Sequence, residues 1–285
     1  AARRVFGTST DGEAFEREYD RLLLATGASA ILPDLPGFDL PGVEVLKSLE
    51  HGRRIKDYLA QNRVRRAILV GMGYINLEMA ESLRALGIEV AMVKPRPELL
   101  PWMERSLAER VRAELEARGV DLYPGWDVQR IETRGDRLHV VCDEGELTGD
   151  FVLAGIGVRP NSGIAAEAGL ELGPEGSIAV DRTMRTSDPS IFAAGDCADA
   201  YHVVTRDKTF IPLALRANRA GRAAGDNACG GEVRLDGVAG TSVFRVMGLE
   251  VATTGINAEE AWEHGFDPAE ISIESRSRAH GHPGS

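Results

Sequence analysis

Residues 67–76 constrain this chain more than any other stretch. Ala67-Ile68-Leu69-Val70 is a short continuous apolar run, the pattern of a strand buried on both faces. Gly71-Met72-Gly73 follows at once. Tyr74-Ile75-Asn76 then opens a helical repeat through Leu77, Ala80 and Leu83 that stops at Gly87. Strand, glycine turn and helix in that order are the context in which such a turn holds the pyrophosphate of a dinucleotide. Gly71 permits the tight turn, and Gly73 lets the backbone come close to a pyrophosphate. The helix start adds free N–H groups and a partial positive charge. The position that usually holds a third glycine is Asn76. A side chain there is expected to crowd the helix against the strand, at a cost of about 1–3 kcal/mol, or to shift the helix.

The pattern continues on both sides. Ile88 to Val93 reads as a second strand. Leu107, Val111 and Leu115 recur every fourth residue, as on one face of a helix that stops near Gly119, and Val120 to Tyr123 is a third strand. This β-α-β-α-β order implies a parallel sheet with right-handed crossovers, and hence an α/β fold. Alternating stretches near residues 128–132, 137–142 and 146–147 read as an antiparallel meander, and Phe151-Val152-Leu153-Ala154 returns as a buried strand. Upstream, Arg21 to Ala25 is a strand ending at Thr26-Gly27. A connector with Pro33, Pro36 and Pro41 follows, then a helix from about Ser48 to Gln61. Downstream, Ile191 to Ala194 is a strand, residues 212–228 are helical, and residues 240–285 hold strands with one helix near Ala258–His264.

An acid at the end of the second strand would accept hydrogen bonds from the adenosine ribose. This chain has Lys94-Pro95-Arg96 there. Two cations suit a 2′-phosphate and favour NADPH over NADH. The alternative is that Lys94 is a solvated surface charge, worth about 0–1 kcal/mol in any exposed pair.

With 285 residues, 43% of them hydrophobic, the chain can build two domains or one large α/β unit. A net charge of -11 argues against nucleic acid and anionic membranes as partners. The three cysteines form no C-x-x-C pair, so a disulfide scaffold is not expected and a reducing cytoplasm is. No apolar run reaches the roughly 18 residues of a membrane span, and no signal peptide is visible. The chain opens at Ala1-Ala2 without a methionine and stops at Pro283-Gly284-Ser285, so it reads as a fragment.

Four further segments carry a family resemblance. Tyr19-Asp20-Arg21-Leu22-Leu23-Leu24-Ala25-Thr26-Gly27-Ala28 resembles the strand between the two nucleotide domains of the flavin-dependent pyridine nucleotide–disulfide oxidoreductases. Thr186 to Asp196, ending Ile191-Phe192-Ala193-Ala194-Gly195-Asp196, resembles their second flavin motif. There the aspartate, here Asp196, accepts a hydrogen bond from the flavin ribityl chain. Gly155-Ile156-Gly157-Val158-Arg159-Pro160-Asn161 resembles the loop that closes on the nicotinamide half of NAD(P). Pro212-Leu213-Ala214-Leu215 resembles the helix start against the flavin ring. Order and spacing match over essentially the whole chain, and the branch is similar to coenzyme A-disulfide reductases and NADH oxidases, whose C-terminal interface domain begins like residues 240–255.

The resemblance implies a nucleotide domain over residues 41–180, inserted in a partial FAD-binding domain at 1–40 and 181–234, with the start of an interface domain at 235–285. It implies FAD and NAD(P)H as cofactors, NADPH being favoured by Lys94. The reaction it implies is hydride transfer to the flavin, and onward to a small-molecule acceptor: a disulfide, coenzyme A disulfide or dioxygen. Full-length members of the family dimerise through the interface domain. Cofactor contacts are expected at Thr26, Gly27, Gly71, Gly73, Tyr74, Ile75, Asn76, Glu78, Lys94, Gly155, Ile156, Gly157, Gly195, Asp196, Leu213, Ala214 and Leu215. Glu78 either orients the nicotinamide or is an exposed acid near a helix start.

Three departures temper this. The family's own flavin glycine turn and the redox cysteine of this branch both fall before Thr26 in the family pattern, and neither is found there. Where related reductases often carry tyrosines, Gly281 and His282 stand. A competing reading is therefore a non-catalytic or truncated NAD(P)-binding module without flavin. Cys197 is expected to be a small structural residue, and Cys142 and Cys229 to be inert. His280 and His282 are too few for a metal site. Arg216, Arg219 and Arg222 read as a solvated or salt-bridged helix face, or as partners of an acidic cofactor.

Overall fold

The computed structural model describes residues 3–275. The chain starts with an antiparallel hairpin of β1 (Arg4–Thr8) and β2 (Ala14–Glu18), followed by β3 (Leu22–Leu24), β4 (Ala28–Ala30) and β5 (Val43–Val45). Helix α1 (Leu49–Gln61) begins where the Ser48 side chain accepts from the His51 N–H. Then come β6 (Arg66–Val70), α2 (Tyr74–Ala85), β7 (Glu89–Lys94), α3 (Arg105–Ala117) and β8 (Val120–Pro124). Strands β9 (Val128–Arg134), β10 (Arg137–Cys142) and β11 (Glu146–Gly149) form the antiparallel meander. β12 (Phe151–Ala154) then returns to the main sheet.

The main sheet has five parallel strands in the order β5-β12-β6-β7-β8. Alternation along β6 sorts its two faces. Ala67 and Leu69 join a core with Ile55 of α1, Leu77, Ala80 and Leu83 of α2, and Val111 and Leu115 of α3. Ile68 and Val70 join a second core with Ile131, Leu138, Val140 and Leu147 of the meander. Both faces are therefore covered, which is why the central strands carry the continuous apolar runs 67–70, 90–93 and 151–154. The α3 face is shifted from expectation. Ala108, Val111 and Leu115 are buried, and Leu107 is exposed. A strict four-residue repeat drifts around a helix of 3.6 residues per turn, and the spacing 108–111–115 follows the stripe better.

Beyond β13 (Val158–Pro160) and the short α4 (Gly163–Glu167), β14 (Ile191–Ala193) pairs in parallel with β3, across more than half the chain. β15 (Ala200–Tyr201) and β16 (Lys208–Thr209) form a small ribbon. Helix α5 (Ala214–Ala228) lays Ala220, Ala223 and Ala224 against β3 and β14. The hairpin of β17 (Ser242–Val246) and β18 (Leu249–Thr253), followed by α6 (Ala258–Glu263), packs back on the first core. Phe244, Val246 and Met247 are buried there with α2 and α3 residues. Among the described residues no helix is long and apolar enough to cross a membrane. His280, Gly281, His282 and Pro283 lie outside the described residues, so the readings made on them have no structural counterpart.

Candidate functional site

The Gly71 turn is built as its sequence requires. Gly71 has φ +97°, and its N–H donates to the Val93 carbonyl of β7 at 2.7 Å. A Cβ at this position would lie 2.5 Å from the Gly155 carbonyl oxygen. Backbone conformation and close approach thus both demand glycine. Gly73 caps α2 in an extended conformation, without any side-chain cap, and a Cβ there would meet nothing within 4 Å. The first-turn N–H groups of Tyr74, Ile75 and Asn76 have no intrahelical acceptors, as at any helix start. The site fits a pyrophosphate: uncapped donors, a positive helix end and room for backbone approach.

Asn76 does not crowd the helix. It is fully buried, and its amide donates to the carbonyls of Val70 at 2.8 Å and Gly71 at 2.9 Å, tying the strand exit to the helix start. The room for it comes from Gly155, where a Cβ would fall 2.3 Å from the Asn76 Oδ1. A missing side chain on β12's exit thus compensates for an extra one on α2, a pairing invisible when either position is read alone.

From Gly155 the loop Ile156-Gly157 leads to β13, which pairs antiparallel with β4. Gly157, at φ +131°, accepts from the Ile31 N–H. Asn161 fastens the far end. Its N–H donates to the Gly27 carbonyl at 2.9 Å, its amide donates to the Thr26 carbonyl at 2.9 Å, and its own carbonyl accepts from the Thr26 hydroxyl at 2.5 Å. The loop therefore joins the Gly71 turn at one end to Thr26-Gly27 at the other.

Thr26-Gly27 and Gly195-Asp196 follow the C-terminal ends of the adjacent parallel strands β3 and β14, and the Ala194 N–H donates to the Leu24 carbonyl. Ligands of open α/β sheets bind beyond such strand ends. Gly27 and Gly195 both have positive φ, and neither has an atom within 4 Å of a would-be Cβ. The Asp196 carboxylate meets the Lys47 ammonium at 2.7 Å, with both side chains partly buried. Arg216 is not on a solvated face. It is buried, and its guanidinium donates to the carbonyls of Gly195 and Ala198 at 2.8 Å each and also to that of Asp199. It clamps the turn that carries Asp196. Helix α5 starts just beyond Leu213, with no side-chain cap at its N-terminus. Space at both glycines, a positioned carboxylate and an uncapped helix start together fit the ribityl and ring portion of a flavin. Cys197 is fully buried and donates its thiol to the Ala194 carbonyl at 3.2 Å, in keeping with a structural role.

Two residues sit differently from expectation. Lys94 is buried, with Nζ donating to the backbone carbonyls of Glu98 and Leu99, the latter at 3.2 Å. Burial, and then the neighbouring Arg96 guanidinium, pull its ammonium below the usual lysine range. Its ammonium is held by the 95–99 loop rather than standing free at the strand end. Arg96, beside it, is exposed. The Tyr74 side chain turns into an aromatic group, 5.1 Å from the Trp102 ring and 4.8 Å from that of Phe244, edge-on. Its hydroxyl lies 3.1 Å from the Ser242 Oγ. Glu78 is exposed on the second turn of α2.

Lys47 and Asn161 were not singled out as site residues from the sequence, and Arg216 was read as part of a solvated or salt-bridged helix face or as a partner of an acidic cofactor. Arg216 sits at the same stripe as Ala220, Ala223 and Ala224, and that apolar stripe is the signal that it points inward. Lys47 lies in an irregular connection, 149 residues from Asp196, and nothing local marks it.

The geometry agrees with what the chain resembles. The model of the family described as pyridine nucleotide-disulphide oxidoreductase matches residues 1–221. A CoA-dependent NAD(P)H sulfur oxidoreductase of Pyrococcus furiosus is 34% identical over 275 residues, which cover 96% of this chain and 62% of the relative. The structure of an NAD-dependent persulfide reductase from A. fulgidus superposes with a TM-score of 0.94 at 34% identity, over 99% of this chain and 53% of that one. A water-forming NADH oxidase from Lactobacillus brevis, bound to NADH, superposes with a TM-score of 0.93 at 26% identity, over 99% and 62%. The chain thus spans less than two thirds of the length of these relatives.

Proposed function

This chain belongs to the pyridine nucleotide-disulphide oxidoreductase family, and from that premise we propose that it carries the NAD(P)H-binding part and half of the FAD-binding part of a flavoprotein oxidoreductase. The observation that carries the reading is the continuous path from the Gly71 turn through Gly155-Ile156-Gly157 to Thr26-Gly27, held at both ends by backbone contacts. Residues 41–180 form the nucleotide-binding part in this reading, residues 1–40 and 181–234 the flavin part, and residues 235–285 the start of an interface domain.

FAD, when bound, supplies the acceptor for the nicotinamide's hydride. The protein's share is placement. Gly71, Gly73 and the N–H groups of Tyr74, Ile75 and Asn76 hold the pyrophosphate of the nicotinamide cofactor. Ile156 and Gly157 bound the space between the two nucleotides. Asp196, oriented by Lys47 and by the Arg216 clamp on its turn, holds a hydroxyl of the flavin's sugar chain. Leu213, Ala214 and Leu215 present the uncapped start of α5 to the ring. Glu78 stands one turn into α2, where it can orient the nicotinamide.

The cation left for a 2′-phosphate is Arg96 rather than Lys94, and on that ground NADPH is favoured over NADH. The final acceptor is a small molecule: the relatives' names include a sulfur oxidoreductase and an NADH oxidase. The test is the visible spectrum of the purified protein and its change on titration with NADPH and NADH. A yellow protein bleached by either nucleotide supports the proposal. A colourless protein that binds nucleotide supports a nucleotide-binding module without flavin, and absence of nucleotide binding overturns both.

A further inference from the structure

A cavity of about 630 Å³ opens on the flank of α5, between that helix, residues 180–184 and residues 234–241. Thr26, Gly27, Lys47, Gly71 and Asp196 do not line it, although Leu213, Leu215 and Arg216 at the start of α5 do. Its size lies in the range of small-molecule sites, about 300–1,000 Å³, and so does its make-up, a mostly apolar wall with a few polar groups. Val180, Met184, Ile211, Leu213, Leu235 and Val238 supply the apolar wall.

The charge of the lining departs from that of the chain. Arg182, Lys208, Arg216, Arg219 and Arg234 face Asp181, Asp199 and Asp236, a cationic excess in a protein of net charge -11. Much of this charge is already engaged. Lys208 pairs with the fully buried Asp199 at 3.0 Å. Arg216 is held by three backbone carbonyls. The Asp181 carboxylate accepts from the N–H and hydroxyl of Thr183 and from the Arg185 N–H. Arg182, Arg219 and Arg234 are left, and among the described residues none of them forms an ion pair. The Arg182 guanidinium is already fixed, 4.0 Å above the Tyr201 ring. Guanidinium groups are well suited to carboxylates, which they hold with paired hydrogen bonds.

The geometry points to a binding site for an amphiphilic carboxylate: an unbranched apolar chain along the Val180–Leu235 wall, with its head among Arg182, Arg219 and Arg234. The site borders the flavin reading through Leu213, Leu215 and Arg216, but its head group does not rest on that reading, in which Arg182, Arg219 and Arg234 take no part. Calorimetric titration of the protein with decanoate, below the concentration at which it forms micelles, tests it. Decanoate is expected to saturate a single site and decanol to bind at least tenfold more weakly. In R219Q/R234Q, decanoate binding is expected to fall at least tenfold, with decanol binding unchanged. Equal binding of acid and alcohol, no saturable binding of decanoate, or a folded double variant that binds decanoate like the parent would each overturn the assignment. If the variant does not fold, the comparison of acid with alcohol on the parent protein still decides.

Discussion

Asn76 and Gly155 occupy one shared space: a methyl group on Gly155 would sit 2.3 Å from the Asn76 side-chain oxygen, while the Asn76 amide ties Val70 and Gly71 to the start of α2. Gly155→Ala is therefore expected to cost about 1–3 kcal/mol by overpacking. Asn76→Ala loses two buried hydrogen bonds, at about 1 kcal/mol each. The double variant should be more stable than the sum of the two losses predicts, with a coupling of about 0.5–3 kcal/mol. Urea unfolding of the four proteins measures it, and simple additivity would show that the two residues do not share the space.

This pair also shows where reading the sequence reaches its limit. The strand-turn-helix at residues 67–85, the parallel order and the meander were legible because apolar periodicity is a local signal. The fit of Asn76 against Gly155 is not local: each half looks anomalous or unremarkable until β12 is placed beside β6. The three-residue strands β4 and β13 are too short to show alternation, and their partners lie about 130 residues apart in sequence. Lys94 illustrates another failure. A lysine at the end of a strand reads as a partner for a 2′-phosphate or as a surface charge, and only the loop's return places the Glu98 and Leu99 carbonyls against its ammonium.

Lys47 and Asp196 form a partly buried pair at 2.7 Å. Lys47→Gln is expected to leave the carboxylate short of a charged partner, at about 1–3 kcal/mol, and to weaken flavin retention at least tenfold. The ratio of visible to near-ultraviolet absorbance after gel filtration reports this. Flavin content equal to that of the parent protein would remove Lys47 from the site.

The three cysteines should separate by reactivity. Cys229 is exposed, whereas Cys142 and Cys197 are buried. Burial, with help from Asp143 and Asp127, pushes the Cys142 thiol up to about 11, so little thiolate exists near neutrality. One thiol is expected to react quickly with a disulfide reagent in the native protein, and all three in denaturant. Fast modification of two or more thiols in the folded state would contradict this placement.

Asp150 holds the start of β6. Its carboxylate accepts from the N–H groups of Arg65 at 2.8 Å and Arg66 at 2.9 Å, and pairs with Arg137 at 3.1 Å. Burial works to raise its pKa, but these donors more than offset that and hold it below the usual carboxylate value. A depressed folded-state pKa means the contribution is complete above the unfolded value, near 3.9, and is lost as pH falls through the folded one. Asp150→Asn should therefore lower stability at pH 7 and flatten the acid limb of the stability profile. An acid limb unchanged by the substitution would place the proton linkage elsewhere.

The account stands most directly on nucleotide binding at the Gly71 turn, and one comparison tests it. Dissociation constants for NADPH and NADH are measured by fluorescence titration for the parent protein, Gly71→Ala and Gly12→Ala. Both glycines have positive φ, but a Cβ at Gly12 meets nothing within 4 Å, whereas one at Gly71 meets the Gly155 carbonyl. Gly12→Ala thus controls for backbone strain alone, about 1–2 kcal/mol. The parent and Gly12→Ala are expected to bind nucleotide alike, and a folded Gly71→Ala at least tenfold more weakly. Unimpaired binding by a folded Gly71→Ala, or no binding by the parent, would contradict the assignment of the site.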